Sequence, residues 1–381
     1  MSKYNIFDCM ELVSSSPKAF ADEKIYVSTG AVDINKIDYS HTELVTYYNR
    51  PSRANLVAQA EDILFAKMFG TTKVLMLDKT TSQNIYSTGF FAVRANRKVI
   101  TPKCLYYLIS SKFFSEKKDR NCSGATQKAV TNTGLKKIFV NIPDIKEQEK
   151  IVKKFDIINR LINARQQQLL KLDKLVKSRF IEMFGTENEF NKWNCCTVED
   201  VADVCVGVVI KPTQYYTEYG IPAFRSLNIG EMQVKDNDWV HFTEDGHQKN
   251  QKSIIQENDV LVVRSGAPGT ACVATKKQDG YNAVDIIIAH PICDKINPIF
   301  LAMFTNMPHG MNQIRERTGG AAQQHFNVGD YKALQLIMPP MELQERFASF
   351  IEQNDKSKLA IQKSIEKLQI LKESLMQKYF G

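Results

Sequence analysis

The feature that most constrains this chain is an internal repeat that covers most of its length. Two short phrases share a proline, a Gln-Glu pair and apolar neighbours, and their prolines, Pro143 and Pro339, lie 196 positions apart. The matched pairs at offsets of 196 or 197 are IPDIKEQEKI (142–151) with MPPMELQERF (338–347), GATQK (124–128) with GAAQQ (320–324), ITPKCL (100–105) with INPIFL (296–301), and EDILFAK (61–67) with NDVLVVR (258–264). A chain of 381 residues therefore contains one large structural unit built twice.

The segment that follows each phrase has the apolar pattern of a long helix, with apolar residues at steps of three and four. The predicted helix-helix or partner seam consists of Ile151, Phe155, Ile158, Ile162, Leu169, Leu172, Val176, Phe347, Ile351, Ile361, Ile365, Leu368 and Leu375. At about 1.5 Å per residue, each helix would be about 55 to 60 Å long. We expect the two helices to pack antiparallel as a coiled coil, because short loops then suffice to connect the globular units. The terminal Phe380 would then return to the first unit.

The fold class predicted from these patterns is α+β, with an internal pseudo-twofold repeat of two α/β domains joined by two long helices. The predicted boundaries are 1–142 for the first globular domain, 143–185 for the first helix, 186–338 for the second globular domain and 339–381 for the second helix. Runs rich in Val, Ile and aromatic residues predict strands within 61–67, 72–77, 87–94, 259–265, 270–275 and 282–290. One helix is predicted in each domain, at 104–114 and 299–307.

Composition excludes several classes of protein. The formal net charge of +8 is compatible with a polyanionic partner. There is no apolar run near 18 residues and no signal-peptide pattern, which predicts a cytoplasmic protein without a membrane span. The eight cysteines form no C-x-x-C pair and the histidines lack ligand spacing beside them, so no metal site is expected.

Catalytic motifs are absent from the sequence. No Gly-rich cofactor loop and no phosphate-binding G-x-x-x-x-G-K-[ST] motif occurs. NPIF (297–300) is the nearest approach to a methyltransferase motif, but its counterpart in the first copy reads TPKC. Asp144-x-Lys146 resembles part of a nuclease motif, but an acid is expected in the first turn of a helix. No catalytic residue is predicted, and the chain is not expected to be an enzyme.

The duplicated Asp-apolar-Leu strand ending in a basic residue, the Gly-Ala-x-Gln loop and the Pro-(x)n-Gln-Glu helix start together resemble the specificity (S) subunit of type I restriction-modification systems. The resemblance covers essentially the whole chain. It implies a non-catalytic subunit with two target-recognition domains that read a bipartite DNA target, while the helices set the gap between half-sites. It also implies double-stranded DNA, two methylation (M) subunits and restriction (R) subunits as partners. No cofactor is expected in this chain, and S-adenosylmethionine and ATP with Mg are expected on the partners.

Candidate DNA-binding residues combine cations for phosphates with side chains that can reach base edges. They are Lys67, Gln127, Lys128, Arg225, Ser226, Arg264, Gly266, Gln323 and Gln324. The charged residues among them could instead be solvated charges at strand ends. The others could simply form turns of the scaffold. Two other functions stay open: the specificity chain of another multi-subunit restriction-methylation enzyme, and a protein adaptor with a helical spacer that binds no DNA.

Overall fold

A computed structural model describes residues 2–13, 15–318 and 325–381, and the chain divides into two compact units. Unit 1 comprises Met1–Gln167 and Gln362–Gly381, and unit 2 comprises Gln168–Ile361. Both units are mixed α/β. The two long helices span Ile145–Phe184 and Met341–Phe380, and each unit contains a part of both. Unit 1 is therefore assembled from two segments that are distant in the chain, whereas unit 2 is continuous.

One four-stranded antiparallel sheet has the same strand order in the two units. In unit 1 this order is Met10–Val13, Phe90–Ala95, Ile63–Ala66, Val74–Met76, and in unit 2 it is Ala202–Val206, Ile286–Pro291, Val260–Val263, Ala271–Val273. The strands Ile63–Ala66 and Val260–Val263 are buried along their whole length, because these Val/Ile/Leu-rich runs are covered on both faces. The repeat seen in the sequence is therefore a repeat of sheet topology.

The second sheet of each unit shares only part of its arrangement. Its strand order is Glu43–Val45, Lys24–Val27, Ile85–Ser87, Ala54–Leu56 in unit 1, and Tyr216–Thr217, Val240–Phe242, Ile221–Phe224, Asn282–Ala283 in unit 2. Both sheets contain a parallel pair, formed by Lys24–Val27 with Ile85–Ser87 and by Ile221–Phe224 with Asn282–Ala283. The two-stranded pairs are Ser2–Asn5 with Phe139–Ile142, Val32–Asp33 with Lys36–Ile37, Cys122–Ser123 with Ala129–Val130, Asn194–Thr197 with Gln335–Met338, and Ile229–Gly230 with Gln233–Val234.

Two helices stand where the sequence predicted one in each unit. They are Pro102–Ile109 and Lys112–Arg120 in unit 1, and Pro298–Asn306 and Pro308–Thr318 in unit 2. The prediction of one continuous helix at 104–114 was wrong because this run contains a second start signal, whereas the helix predicted at 299–307 is confirmed as Pro298–Asn306 and a second helix follows it. Ser111 caps the new helix by accepting a hydrogen bond from the backbone N–H of Phe114, and Pro308 cannot continue a preceding helix. The other short α-helices among the described residues are Ile6–Cys9, Asn132–Leu135, Glu244–Lys249 and Val328–Lys332.

The duplicated Gln-Glu phrase attaches each long helix to its globular domain through the glutamine. Gln148 is fully buried, and its amide accepts a hydrogen bond from the N–H of Thr101 and donates to the carbonyls of Val99 and Pro143. Gln344, which is 1% exposed, repeats this pattern with the N–H of Asn297 and the carbonyl of Pro339. Because buried backbone groups must find partners, one side chain satisfies several of them at once. The phrase is therefore a structural connector.

In each unit the start of one long helix packs against the end of the other through aromatic side chains. In unit 1 the ring of Phe155 lies 6.2 Å from the ring of Phe380, and Lys154 Nζ donates to the hydroxyl of Tyr379 at 2.9 Å. In unit 2 the ring of Phe184 lies 5.5 Å from the ring of Phe347. The last turn of the second helix therefore completes the core of unit 1, as the sequence predicted for Phe380.

The seam residues predicted from the sequence are all withdrawn from solvent to some degree. Six are buried, namely Ile151, Phe155, Ile158, Val176, Phe347 and Ile351. The other seven are half-buried, namely Ile162, Leu169, Leu172, Ile361, Ile365, Leu368 and Leu375. The buried ones lie near the ends of the helices, where the globular domains also cover them. Their use as a surface for partner subunits stays a prediction.

An ion pair occupies equivalent positions in the two units but differs in its cation. Asp62, which is 1% exposed, is bound through both oxygens by Arg94 at 2.7 and 2.9 Å. The equivalent Asp259 accepts a hydrogen bond from His290 Nδ1 at 2.6 Å, and His290 Nε2 lies 3.7 Å from the sulfur of Cys205. The hydrogen bond to Asp259, with a smaller contribution from Cys205, raises the pKa of His290 to about 10. Unit 2 therefore holds a titratable cation where unit 1 holds a permanent one.

We expect unit 2 to lose stability between about pH 6.5 and pH 10. A histidine whose pKa is raised by folding contributes fully below its unfolded pKa of about 6.5, and the contribution disappears as pH rises through the folded pKa. After allowance for solvent screening, the expected loss is about 1–2 kcal/mol. Both tryptophans, Trp193 and Trp239, lie in unit 2, so urea titrations followed by tryptophan fluorescence measure its unfolding free energy.

Two variants control for the other groups that titrate in this range. His290→Arg installs the cation of unit 1 and should be less sensitive to pH between 6.5 and 10. In His290→Gln, the unfolding free energy of unit 2 should be lower than in the wild type at pH 6.5 and equal to it near pH 10. If the unfolding free energy of unit 2 changed with pH in the same way in the wild type and in His290→Arg, the expectation would be contradicted.

Candidate nucleic-acid interface

The structure brings together several of the candidate DNA-binding residues of unit 1. Lys67 ends the strand Ile63–Ala66, and the backbone N–H of Val130 donates to its carbonyl at 2.9 Å. Two residues further on, the N–H of Phe69 donates to the carbonyl of Lys128 at 2.9 Å. Gln127 and Lys128 are exposed on the adjoining turn. We call residues 67–73 and 124–130 the unit 1 loop pair; it contains the candidates Lys67, Gln127 and Lys128.

Two local features fix the shape of the unit 1 loop pair. Lys118, which is 2% exposed, donates from Nζ to the carbonyls of Met68 and Thr71 at 2.9 and 2.7 Å. Gly124 has φ +127°, and a Cβ there would lie 2.5 Å from the carbonyl oxygen of Gln127. Only glycine tolerates both this backbone angle and this close approach. The buried ammonium and the tight turn therefore hold the loops in place.

Unit 2 repeats this arrangement at equivalent positions. The N–H of Phe326 donates to the carbonyl of Arg264 at 2.9 Å, as Val130 does to Lys67, and Ser265 pairs with His325 in a β-bridge. Gly266 is exposed and has φ +86°, and a Cβ there would meet no atom within 4 Å, so a ligand could approach its backbone closely. We call residues 264–269 with 325–326 the unit 2 loop pair. Gln323 and Gln324 lie outside the described residues.

Arg264 is occupied inside the protein. Its Nη1 donates to Asp285 Oδ1 at 2.6 Å, its Nε donates to the carbonyl of Phe326 at 3.1 Å, and its side chain is 9% exposed. A forked guanidinium suits such a double role. The prediction of Arg264 as a direct DNA contact is not favoured by this geometry, because the side chain instead ties the strand end to the loop at 325–326. The comparison of the two copies could not indicate this, because the first copy has no carboxylate at the position equivalent to Asp285.

The remaining candidates lie on other segments. Arg225 and Ser226 follow the strand Ile221–Phe224 and are half-buried, and the guanidinium of Arg225 donates to the carbonyl of Asp238. Three other cations of the globular domains have carboxylate partners, in the pairs Arg94–Asp62, Arg97–Glu61 and Lys277–Asp236. Lys276 is exposed. Arg225 and Ser226 stay predictions that neither loop pair includes.

The sequence interpretation missed two residues of the unit 1 loop pair. Met68 and Phe69 are 40% and 54% exposed at the tip of the turn, and Lys128 Nζ lies 6.0 Å from the centre of the Phe69 ring. The available signal was a pair of large apolar residues between the end of a buried strand and a glycine. The core seldom needs apolar side chains at such a turn. They add an apolar surface beside the lysines.

Two kinds of feature are absent from the part of the chain that the structure describes. No group of three or more His, Cys, Asp or Glu side chains there is placed to hold a metal ion. None of the described helices is both long and apolar enough to cross a membrane.

Comparison with known proteins identifies a repeated family domain. The family model described as type I restriction modification DNA specificity domain matches residues 15–172 and again residues 191–371. The two matches together cover most of the chain, and each includes one loop pair and much of the long helix that follows it.

Individual relatives have the same description. Over 168 residues the chain is 27% identical to the type I restriction enzyme HindI specificity subunit of Haemophilus influenzae, covering 42% of this chain but only 36% of that protein. It is 21% identical to the StySPI specificity subunit of Salmonella potsdam, over 92% of this chain and 80% of that one.

Two solved structures have the same fold. A chain from a type I R-M system matches with a TM-score of 0.60 and 19% identity over 97% of both chains. The type I restriction-modification system S subunit from M. genitalium matches with a TM-score of 0.54 and 13% identity, over 100% of this chain and 96% of that one. Because the family model matches most of its length, the chain belongs to the family of type I restriction-modification DNA specificity proteins, and it contains the family domain twice.

Proposed function

We propose that the chain is the DNA-recognition subunit of a type I restriction-modification complex and reads a bipartite target, with one half-site for each unit. The observation that carries this proposal is the double match to the specificity domain, with an equivalent loop pair in each copy. Bipartite targets require two reading modules at a defined separation. We propose that the two long helices, packed antiparallel, set that separation and hence the unread gap.

DNA contact is assigned to the exposed groups of the loop pairs and to the half-buried Lys67. Lys67 and Lys128 would bind phosphates, Gln127 would reach a base edge, and the backbone at Gly266 would approach the sugar-phosphate chain. In unit 2, Gln323 and Gln324 would be the counterparts of Gln127 and Lys128. Arg225 and Ser226 would contribute at the margin, and Arg264 would position the loop at 325–326.

The proposed partners follow from the family. The chain would bind double-stranded DNA, two methylation subunits and restriction subunits, with the seam residues left free by the helix pair contacting the methylation subunits. The chain itself would catalyse nothing. S-adenosylmethionine would be bound by the methylation subunits, and ATP with Mg²⁺ by the restriction subunits.

The test is modified-base sequencing of genomic DNA from cells that express the chain with its methylation subunits. We expect a split methylated motif with a fixed unread gap, and no such motif in cells that express the methylation subunits alone. A continuous motif would mean that only one unit reads DNA. An active methylation complex whose motif does not depend on this chain would refute the proposal.

A further inference from the structure

The strand-end cation differs between the two units in how its charge is neutralised. Lys67 and Arg264 occupy the same place in the repeat, because both follow the buried central strand and both accept a backbone hydrogen bond from the equivalent loop residue. The strand that pairs with each central strand is also equivalent: Phe90 pairs with Ala66, and Ile286 pairs with Val263. The residue before each of these, Gly89 in unit 1 and Asp285 in unit 2, is therefore also equivalent.

In unit 2 the carboxylate at this position neutralises the cation, since Asp285 Oδ1 lies 2.6 Å from Arg264 Nη1. In unit 1 glycine supplies no carboxylate. Lys67 Nζ donates instead to the carbonyl of Thr88 at 2.8 Å and lies 4.5 Å from the centre of the Phe91 ring. Within the described residues, no carboxylate oxygen lies within 4.0 Å of Lys67 Nζ. Partial burial of this side chain lowers the pKa of Lys67, as expected for a cation without a counter-charge.

Lys67 also lines a cavity of about 340 Å³ in unit 1. Five further polar residues along its wall can donate hydrogen bonds through hydroxyl or amide groups: Ser15, Ser16, Asn55, Thr88 and Asn132. Phe90 and Phe91 supply an apolar part of the lining. A half-buried ammonium in a cavity lined by neutral hydrogen-bond donors is an environment that favours an anion, because the anion would supply the counter-charge that Lys67 lacks.

We propose that this cavity binds one backbone phosphate of the DNA half-site read by unit 1, with Lys67 as its counter-cation, and that Asp285 closes the equivalent place in unit 2 to phosphate. The inference rests on the proposed function and names one contact within it. A phosphate of DNA fits better than a base edge, because the wall offers one cation and several donors and no carboxylate that could accept from a base.

The test transfers the ion pair of unit 2 into unit 1. Gly89→Asp introduces a carboxylate at the position equivalent to Asp285, and Gly89→Ala is the matched control with the same Cβ and no charge. That Cβ would meet the side chains of Thr29 at 2.9 Å and Ser87 at 3.3 Å, which must shift equally in both variants. The affinity of the complex with methylation subunits for its methylation target is measured against salt concentration.

Each phosphate contact contributes about 0.9 to the slope of log affinity against log salt concentration. We expect Gly89→Asp and Lys67→Met each to lower the slope by about 0.9 relative to Gly89→Ala and wild type, and the double variant to lower it no further. Equal slopes for Gly89→Asp and Gly89→Ala would overturn the inference. If the wild-type complex bound no DNA sequence specifically, the proposed function would be refuted instead. The two failures are therefore distinguishable.

A second measurement identifies the source of the phosphate. Acylation of the Lys67 amine, read by peptide mass spectrometry, should be slowed by target DNA and not by millimolar inorganic phosphate alone. Equal protection by inorganic phosphate would mean that the cavity binds a free anion and would overturn the assignment to DNA.

Discussion

Replacing Phe380 with alanine is expected to lower the unfolding free energy of unit 1 by about 3–5 kcal/mol and to leave unit 2 unchanged. Phe380 is 1% exposed and belongs to the same apolar cluster as Phe155, Cys9 and Cys104. Removing its ring leaves a cavity in the core of a domain whose other residues come mostly from the N-terminal part of the chain. A substitution next to the last residue should therefore destabilise the N-terminal domain.

Buried cysteines provide a probe for each unit. Cys9 and Cys104 in unit 1 and Cys272 in unit 2 are fully buried, so each reacts with an alkylating reagent only when its unit opens. In Phe380→Ala, labelling of Cys9 and Cys104 should be about 10²- to 10⁴-fold faster, since about 1.4 kcal/mol is a factor of ten. Labelling of Cys272 should not change.

The control is Leu371→Ala on the same helix, where the side chain is 47% exposed. It should leave all three labelling rates near those of the wild type, because surface substitutions usually change stability by less than about 0.5 kcal/mol. Equal acceleration at Cys9 and Cys272 in Phe380→Ala would mean that the two units open together, contrary to the expectation.

Exchange of residues 186–338 for the corresponding segment of another family member is expected to replace one half of the methylated target. The other half and the unread gap should stay the same, because unit 1's loop pair and both long helices are retained. Methylation at the original target should fall by at least about 10³-fold, the usual minimum margin between specific and non-specific DNA binding.

The local structure suits this exchange. Asn194 pairs with Met338 in adjacent antiparallel strands, so the ends of the segment lie side by side. Gly185, with φ +91°, ends the first long helix just before the junction. The reciprocal exchange of residues 2–142 is the matched control and should change the other half-site. A hybrid that alters both halves, or the gap, would contradict the assignment of one half-site to each unit.

Much of the fold could be predicted because it is encoded by local patterns that the repeat presents twice. The three- and four-residue apolar spacing indicated both long helices, and the Val- and Ile-rich runs indicated the central strands such as Ile63–Ala66. The break at Ser111 was missed because a serine cap between two apolar helical runs is a weak signal. The role of Gln148 was also missed, because it depends on carbonyls that are distant in sequence.

The candidate site was less predictable because its chemistry depends on pairings across the sheet. The sequence indicated the duplicated motifs that contain Lys67 and Lys128, but it did not indicate that their two segments pair. The burial of Arg264 depends on Asp285, and the availability of Lys67 depends on a glycine at the same place in the first copy. The difference between Gly89 and Asp285 thus decides whether the neighbouring cation is paired inside the protein or available to a ligand. No pattern within either strand indicates this.

The discontinuity of unit 1 also determines the order in which the protein can fold during its synthesis. The N-terminal 167 residues leave the ribosome first, but Tyr379 and Phe380 leave only after all of unit 2 has been made. At about 5–20 residues per second, synthesis of the intervening segment takes about 10–40 s. Throughout that interval the nascent domain lacks two of its core aromatic side chains and exposes the surface they will cover. Synthesis of unit 1 therefore begins before that of unit 2 but ends after it. We expect chaperones to bind the incomplete unit 1 during this interval.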